Sequence, residues 1–179
     1  MRVVAGSAKG RRIEVPPDDS VRPTGERVRE AVFNALYSAG GIAGAHVLDL
    51  FAGSGAMGIE ALSRGAAHVT FVERSTGAID VLRRNVDALE LGDDATIVAL
   101  DALTFLDTAG SFDVAILDPP YRFDRWADVL DRVHAEVIVV ESDRVIPLGH
   151  SWESFKQGRY AATVVELARR ADSSTEGPE

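Results

Sequence analysis

The chain of 179 residues contains no cysteine, which excludes disulfides and thiolate metal sites. No apolar run approaches the ~18 residues that a membrane-spanning helix needs. The opening Arg2-Val3-Val4-Ala5-Gly6-Ser7 holds no apolar core long enough for a signal peptide, so a cytoplasmic protein is expected. His46, His68, His134 and His150 are scattered without metal-ligand spacing, and no metal and no catalytic role is assigned to them. There is no internal repeat. What is present, with 46% hydrophobic residues, is enough for one ordinary domain with a substantial core and a small appendage.

Positive charge is also in deficit. The net charge is −9, which argues against an extensive nucleic-acid surface, because phosphate binding depends on lysine and arginine. The distribution matters more than the sum. Residues 1–12 carry Arg2, Lys9, Arg11 and Arg12 with no acid, and residues 22–29 add Arg22, Arg27 and Arg29 against Glu26. One basic end on an acidic body suits docking to a polyanion through a single face, since the rest of the surface is repelled and orients the encounter. The plainer alternative, arginines that merely solvate a hairpin, stays open at this point.

Residues 2–5 and 11–15 are short β-prone runs around Gly6-Ser7-Ala8-Lys9-Gly10, which reads as a hairpin with a basic tip. Pro16 and Pro17 end it, and Asp18-Asp19-Ser20 reads as a loop. A basic β-hairpin extension is therefore expected over residues 1–20, a main domain over 21–171, and a disordered Ser-, Thr-, Glu- and Pro-containing tail over 172–179. Thr24 reads as the N-cap of a helix whose Val28, Val32, Ala35 and Leu36 recur at helical spacing up to Gly40-Gly41. Strands are then expected at 47–50, 68–72, 96–100, 113–117 and 136–141. They alternate with helices at 55–64, 76–91, 102–107 and 124–133. Repeated βαβ units with continuous apolar strands imply a parallel sheet covered by helices on both faces. Two last strands, 152–157 and 160–168, joined at Gly158-Arg159, are expected to form an antiparallel hairpin at the sheet edge, for seven strands in all.

The stretch Val47-Leu48-Asp49-Leu50-Phe51-Ala52-Gly53-Ser54-Gly55-Ala56-Met57-Gly58 reads as a buried strand ending in an acid, a glycine-rich turn and the start of a helix. Such a turn brings backbone close to a ligand and aims unpaired N–H groups at it. Gly53-x-Gly55-x-x-Gly58 satisfies the dinucleotide fingerprint, with Glu73 at about the ~20-residue spacing of a ribose contact. The pattern alone does not choose between NAD and S-adenosylmethionine, and a tight turn that simply needs small residues is the bland reading.

Ligands of open α/β sheets sit outside the carboxyl ends of the strands, and there the chain delivers Asp49, Glu73, Asp101 and Asp118. Glu73 suits a pair of ribose hydroxyls, and Asp101 suits an adenine amino group with the Ala102 N–H on a ring nitrogen. Asp49, nearest the pocket floor, suits an ammonium directly or through water. An acid-lined pocket repels a pyrophosphate and welcomes a sulfonium and an ammonium, which favours the methyl donor.

Asp118-Pro119-Pro120-Tyr121 follows the apolar strand Val114-Ala115-Ile116-Leu117. Two prolines remove two N–H groups and fix φ, leaving a rigid projection with bare carbonyls. If the Asp118 carboxylate and the Pro119 carbonyl accept the two N–H bonds of a base's amino group, the nitrogen lone pair is freed from the ring and held toward the donor methyl. Tyr121 is expected to stack on the base, a contact worth ~1–3 kcal/mol, and positioning of this kind supplies rate without a strong base.

This tetrapeptide resembles the signature of amino-group methyltransferases with the class I, S-adenosylmethionine-dependent, Rossmann-like fold. Together with Arg2-Val3-Val4-Ala5-Gly6, Gly10-Arg11, Arg22-Pro23-Thr24, Arg27-Val28-Arg29-Glu30-Ala31-Val32-Phe33-Asn34 and Leu50-Phe51-Ala52-Gly53-Ser54-Gly55, it makes nearly the whole chain similar to the bacterial RsmD-type methyltransferases. The resemblance implies methylation of N2 of a guanine in the 16S ribosomal RNA of the small subunit, within assembled or nearly assembled 30S particles, by a monomer that needs neither metal nor membrane. It implies cofactor contacts from Asp49, Phe51, Ala52, Gly53, Ser54, Gly55, Glu73, Arg74, Asp101, Ala102 and Asp118, and catalysis by Asp118, Pro119, Pro120 and Tyr121. RNA contacts are expected from Arg2, Lys9, Arg11, Arg12, Arg22, Thr24 and Arg27. The segment between Tyr121 and strand 136–141 is shorter than is usual in the family and lacks its common glycine.

Four other readings compete. A DNA adenine-N6 methyltransferase needs a recognition domain for which the chain has no room, and a protein glutamine methyltransferase leaves the N-terminal arginines idle. A NAD-dependent oxidoreductase leaves Asp118-Pro119-Pro120-Tyr121 without work, as does a non-catalytic RNA-binding assembly factor. Trp126 and Trp152 are expected to be packing residues.

Overall fold

The computed structural model describes residues 1–16 and 25–171. Pro17, the Asp18-Asp19-Ser20 loop, Arg22, Thr24 and the tail from Asp172 lie outside the described residues.

Seven strands form one sheet in the order β3-β2-β1-β4-β5-β7-β6. Five of them are β1 (His46–Asp49), β2 (His68–Glu73), β3 (Ala95–Ala99), β4 (Phe112–Leu117) and β5 (Ala135–Ser142), all mutually parallel. The last two, β6 (Trp152–Tyr160) and β7 (Thr163–Arg170), run as an antiparallel pair, with β7 against β5. The apolar runs of the central strands serve two faces at once. Val47, Val114, Ile116 and Val139 enter one core cluster, while Leu48, Ala115, Leu117, Ile138 and Val140 enter the other. Side chains alternate across a strand, so a strand covered on both faces reads as a continuous apolar stretch.

Helices α1 (Glu26–Ser38), α2 (Ala56–Ser63) and α3 (Thr76–Ala88) supply the first cluster; α4 (Ala102–Leu106) and α5 (Trp126–Arg132) supply the second. The position before α1 is Gly25, one residue later than the expected Thr24 cap, with the Gly25 carbonyl taking the Val28 and Arg29 N–H groups. Gly58 explains how α2 lies so close to the sheet. A Cβ there would come within 2.2 Å of the Phe71 ring on β2. Trp126 and Trp152 pack inside as expected, and the Trp152 indole N–H donates to the Leu130 carbonyl at 3.0 Å.

The turn of the terminal hairpin falls at Ala161-Ala162 and not at Gly158-Arg159, because Tyr160 pairs with Thr163. Ala161 takes the left-handed conformation, φ 55°, that a two-residue hairpin requires. Gly158 has a different task inside β6. A Cβ on it would meet the Tyr160 ring at 2.9 Å, so its missing side chain makes room for that ring.

The N-terminal segment pairs antiparallel around a single Arg2–Arg12 bridge, with Val3 N–H donating to Arg11 O at 3.0 Å and Gly10 N–H to Val3 O at 2.9 Å. Its Val3, Ala8 and Ile13 are buried in the first cluster. It is fastened to α2 by polar groups that are themselves buried. The Glu60 carboxylate accepts from Val4 N–H at 2.8 Å and Ala5 N–H at 3.0 Å. The Ser63 hydroxyl accepts from Ala8 N–H at 3.0 Å and donates to Ala5 O at 2.6 Å. Gly6, at φ 85°, must be glycine here, since a Cβ would overlap the Ser63 carbonyl oxygen at 1.7 Å.

Candidate active site

The first strand-to-helix turn is built from residues of unusual backbone. Gly53 and Gly55 have φ 53° and 81°, which glycine adopts without strain. The turn is stitched below by Gly55 N–H to Ala52 O at 2.7 Å, and toward β2 by Ala52 N–H to Val72 O at 3.0 Å. Leu82 of α3 closes the space beneath Gly55, where a Cβ would lie 2.2 Å from Leu82 Cδ1. α2 begins at Ala56 with its first N–H groups beside this turn.

All four strand-end acids reach the carboxyl rim of the sheet, at the ends of β1, β2, β3 and β4. Their surroundings differ. Asp49 is 2% exposed and its Oδ2 accepts from Gly58 N–H at 2.9 Å. Burial pushes its carboxyl up to about 7 against the pull of that N–H, and the Asp118 and Glu73 carboxylates push the same way. Glu73 braces the turn, Oε2 accepting from Gly53 N–H at 2.9 Å and Oε1 from the Arg74 and Ser75 N–H groups at 2.8 Å. Each carboxylate oxygen has two acceptor sites, so with three of the four taken Glu73 keeps one, on Oε2, for a ribose hydroxyl. Asp101 caps α4 through Leu103 N–H at 3.0 Å and faces the exposed Arg74 guanidinium at 3.4 Å. Ala102 is the first residue of that helix and is buried.

Asp118 follows β4 at half-exposure, with Pro119 buried behind it and Pro120 exposed. The β1–β4 pairing, Asp49 opposite Ile116 and Leu50 N–H to Ile116 O at 3.1 Å, sets Asp118 next to the glycine-rich turn. The chain then turns, Phe123 N–H donating to Pro120 O at 2.8 Å. Tyr121 is half-buried and its hydroxyl lies 3.2 Å from Thr163 Oγ1, at the start of β7. Phe123 meets Phe51 edge-on, centroids 5.2 Å apart, and Trp126 at 5.6 Å. Arg144, after β5, donates to the Tyr121 and Phe123 carbonyls at 3.5 and 3.2 Å and so steadies this loop. Among the described residues, no group of three or more acids and histidines could hold a metal ion.

The residues expected to meet RNA are not brought to a common state. Lys9, Arg12 and Arg27 are exposed. Arg2 donates to Gly10 O at 2.7 Å, and Arg11 donates to Leu89 O at 3.3 Å and to Ala88 O at the carboxyl end of α3. Arg22 and Thr24 lie outside the described residues. Arg29, read from the sequence as part of the basic docking region, is fully buried and cannot touch a ligand. It donates to Arg2 O at 2.6 Å and stands 4.0 Å from Glu60. Burial pulls its pKa down, while Glu60, Glu26 and Glu141 oppose that pull.

Four residues of this neighbourhood escaped the sequence reading: Phe123, Arg144, Thr163 and Asn85. For Asn85 a signal did exist, a lone amide among Ile79, Leu82, Val86 and Leu89 on the apolar face of α3.

A family model described as conserved hypothetical protein 95 matches residues 1–169. The chain is 40% identical over 159 residues to Bacillus subtilis YlbH, across 86% of this chain and 84% of that protein. It is 42% identical over 123 residues to ribosomal RNA small subunit methyltransferase D of Escherichia coli strain K12. That match covers 68% of this chain and 61% of the E. coli protein, less than two thirds of its length. Among solved structures, yhhF of Escherichia coli superposes with a TM-score of 0.83 at 32% identity, across 95% of this chain and 97% of that one.

Proposed function

The chain belongs to the conserved hypothetical protein 95 family, that of the RsmD-type methyltransferases, and from this premise we propose that it methylates N2 of a guanine in small-subunit ribosomal RNA. The reading extends to the guanine at position 966 and to 30S particles as substrate. The observation that carries it is the rigid Asp118-Pro119-Pro120-Tyr121 projection beside the glycine-rich turn. The name of the E. coli relative supports the nucleic-acid side of the proposal.

The donor set suits S-adenosylmethionine. Asp49, Glu73, Asp101 and Asp118 form a rim of carboxylates that favours a cation, and Glu73 and Asp101 retain free acceptor sites beside backbone N–H groups. Phe51, Ala52, Gly53, Ser54 and Gly55 would hold the methionine end, with Glu73 at the ribose and Asp101 and Ala102 at the adenine. Arg74, opposite Asp101, would border the adenine side. When bound, the cofactor supplies an electrophilic methyl group and leaves as a neutral thioether.

The chain itself positions and desolvates. The Asp118 carboxylate and the Pro119 carbonyl accept the two N–H bonds of the guanine amino group, which turns its lone pair out of conjugation. Tyr121 stacks on the base, its ring held by the Thr163 contact and by Arg144 behind its carbonyl. The base must leave its stack to enter, because its amino group is otherwise out of reach. After transfer the ammonium proton is acidic and passes to water at the open face of Asp118. The N-terminal basic segment and Arg27 hold the RNA by its phosphates.

The test is methylation of 30S particles, naked RNA and DNA with labelled donor, by the wild type and by Asp118→Ala, followed by mapping of the modified base. Label at guanine N2 in small-subunit RNA from the wild type is expected. The variant should lose at least about a hundredfold in turnover while its affinity for the donor changes little. Label on DNA alone, or a variant that methylates normally, overturns the reading.

A further inference from the structure

Asn85 sits in the apolar stripe of α3 and is 2% exposed. Its Nδ2 donates to the Ser54 carbonyl at 2.9 Å and to the Glu14 carbonyl at 3.0 Å, and its Oδ1 accepts from Glu14 N–H at 2.8 Å. One carboxamide thus spends both donor hydrogens and an acceptor site on two segments remote in sequence. One is the centre of the glycine-rich turn; the other is the end of the basic N-terminal segment.

Both ends of this bridge need an external hold. The Ser54 peptide lies between two glycines at positive φ, whose backbone has little intrinsic preference for one orientation. The Asn85 amide keeps the Ser54 carbonyl turned into the protein. At the other end, Glu14 is gripped through both its N–H and its C=O, as by a neighbouring strand. Leu82, one helical turn earlier, supports Gly55 from the same face of α3.

We propose that Asn85 is a positioning residue that joins the RNA-docking segment to the cofactor turn, so that S-adenosylmethionine and RNA each strengthen the binding of the other. The inference rests on the two binding places assigned above. Linkage makes the effect reciprocal: the factor by which RNA tightens the donor equals the factor by which the donor tightens RNA.

The test is calorimetry with S-adenosylmethionine, in the presence and absence of small-subunit ribosomal RNA, on wild type, Asn85→Ala and Asn85→Asp. The aspartate keeps the acceptor for Glu14 N–H and removes both donors. It is accompanied by hydrogen exchange at the Glu14 amide. In the wild type, saturating donor should slow that exchange. Both variants should bind the donor roughly tenfold more weakly, as expected for a buried acceptor left without its partner. Their kcat at saturating donor should stay near that of the wild type, and the reciprocal tightening by RNA should vanish. A purely structural Asn85 would lower the melting temperature without moving the KM against kcat split or the exchange response. Folded variants that bind donor and RNA as the wild type does overturn the inference. So does a wild-type Glu14 amide indifferent to the donor, a result that does not depend on the variants folding. A wild type that binds no S-adenosylmethionine overturns the functional reading as well, which separates the two failures.

Discussion

Asp49 is the member of the acidic rim that water does not reach, and this gives it a titration of its own. Its carboxyl is pushed up to about 7 by burial, so below that pH the protein with no donor bound holds a proton there. A cation nearby favours the ionised form. Donor binding should therefore release part of a proton at about pH 6, and affinity should rise with pH up to about 7 and level off above it. Calorimetry in buffers of different ionisation heat reads this release directly. It should be absent from Asp49→Asn at the same pH, and equal release by that variant would place the titrating group elsewhere. Asp49, Glu73, Asp101 and Asp118 were legible in the sequence because a strand's end is visible and the ligand side of such a sheet is known in advance. Thr163 and Arg144 were not, because their partners Tyr121 and Phe123 are 42 and 21 residues away and only the closed sheet brings them together. The burial of Arg29 was hidden for a similar reason, since its compensation comes from Glu60 on another helix.

At the scale of elements, the N-terminal segment and α2 act as one piece. Glu60 is fully buried and serves four groups: the Val4 and Ala5 N–H groups, Arg64 at 2.7 Å and Arg29 at 4.0 Å. Glu60→Ala leaves the Val4 and Ala5 N–H groups without their acceptor and removes the carboxylate that stands beside the buried Arg29 guanidinium. A loss of about 3–5 kcal/mol in denaturant unfolding is expected, together with faster hydrogen exchange at Val4 and Ala5 than at residues of β4. A loss below about 1 kcal/mol would mean that water replaces the carboxylate. Strands and helices themselves were readable, since period and apolar content differ sharply between them. The hairpin turn was misplaced because Gly158 carries the local signal of a turn while meeting a packing need under Tyr160. Ala161-Ala162 carries no such signal and takes its shape from the pairing of β6 with β7.

For the molecule as a whole, an acidic body with a basic end makes association dependent on salt and on orientation. The exposed Lys9 and Arg12 stand at that end, and reversing both should weaken RNA binding by about ten- to a hundredfold at low salt. The logarithmic salt slope should become shallower by about 0.7–0.9 for each phosphate no longer neutralised. Filter binding across a salt series measures both, and an unchanged slope would return these residues to plain solvation. Among the described residues no helix is long and apolar enough to cross a membrane.

The fastening of the first residues to Glu60, Ser63 and Asn85 also has a consequence for synthesis. Their hydrogen-bond partners lie 55 to 71 residues downstream, so the earliest part of the nascent chain to leave the ribosome must wait for α2 and α3 before it finds its place. Closing loops of that length is entropically costly before the helices exist. The segment proposed to recognise RNA therefore takes its shape only together with α2 and α3, the helices that carry its partners.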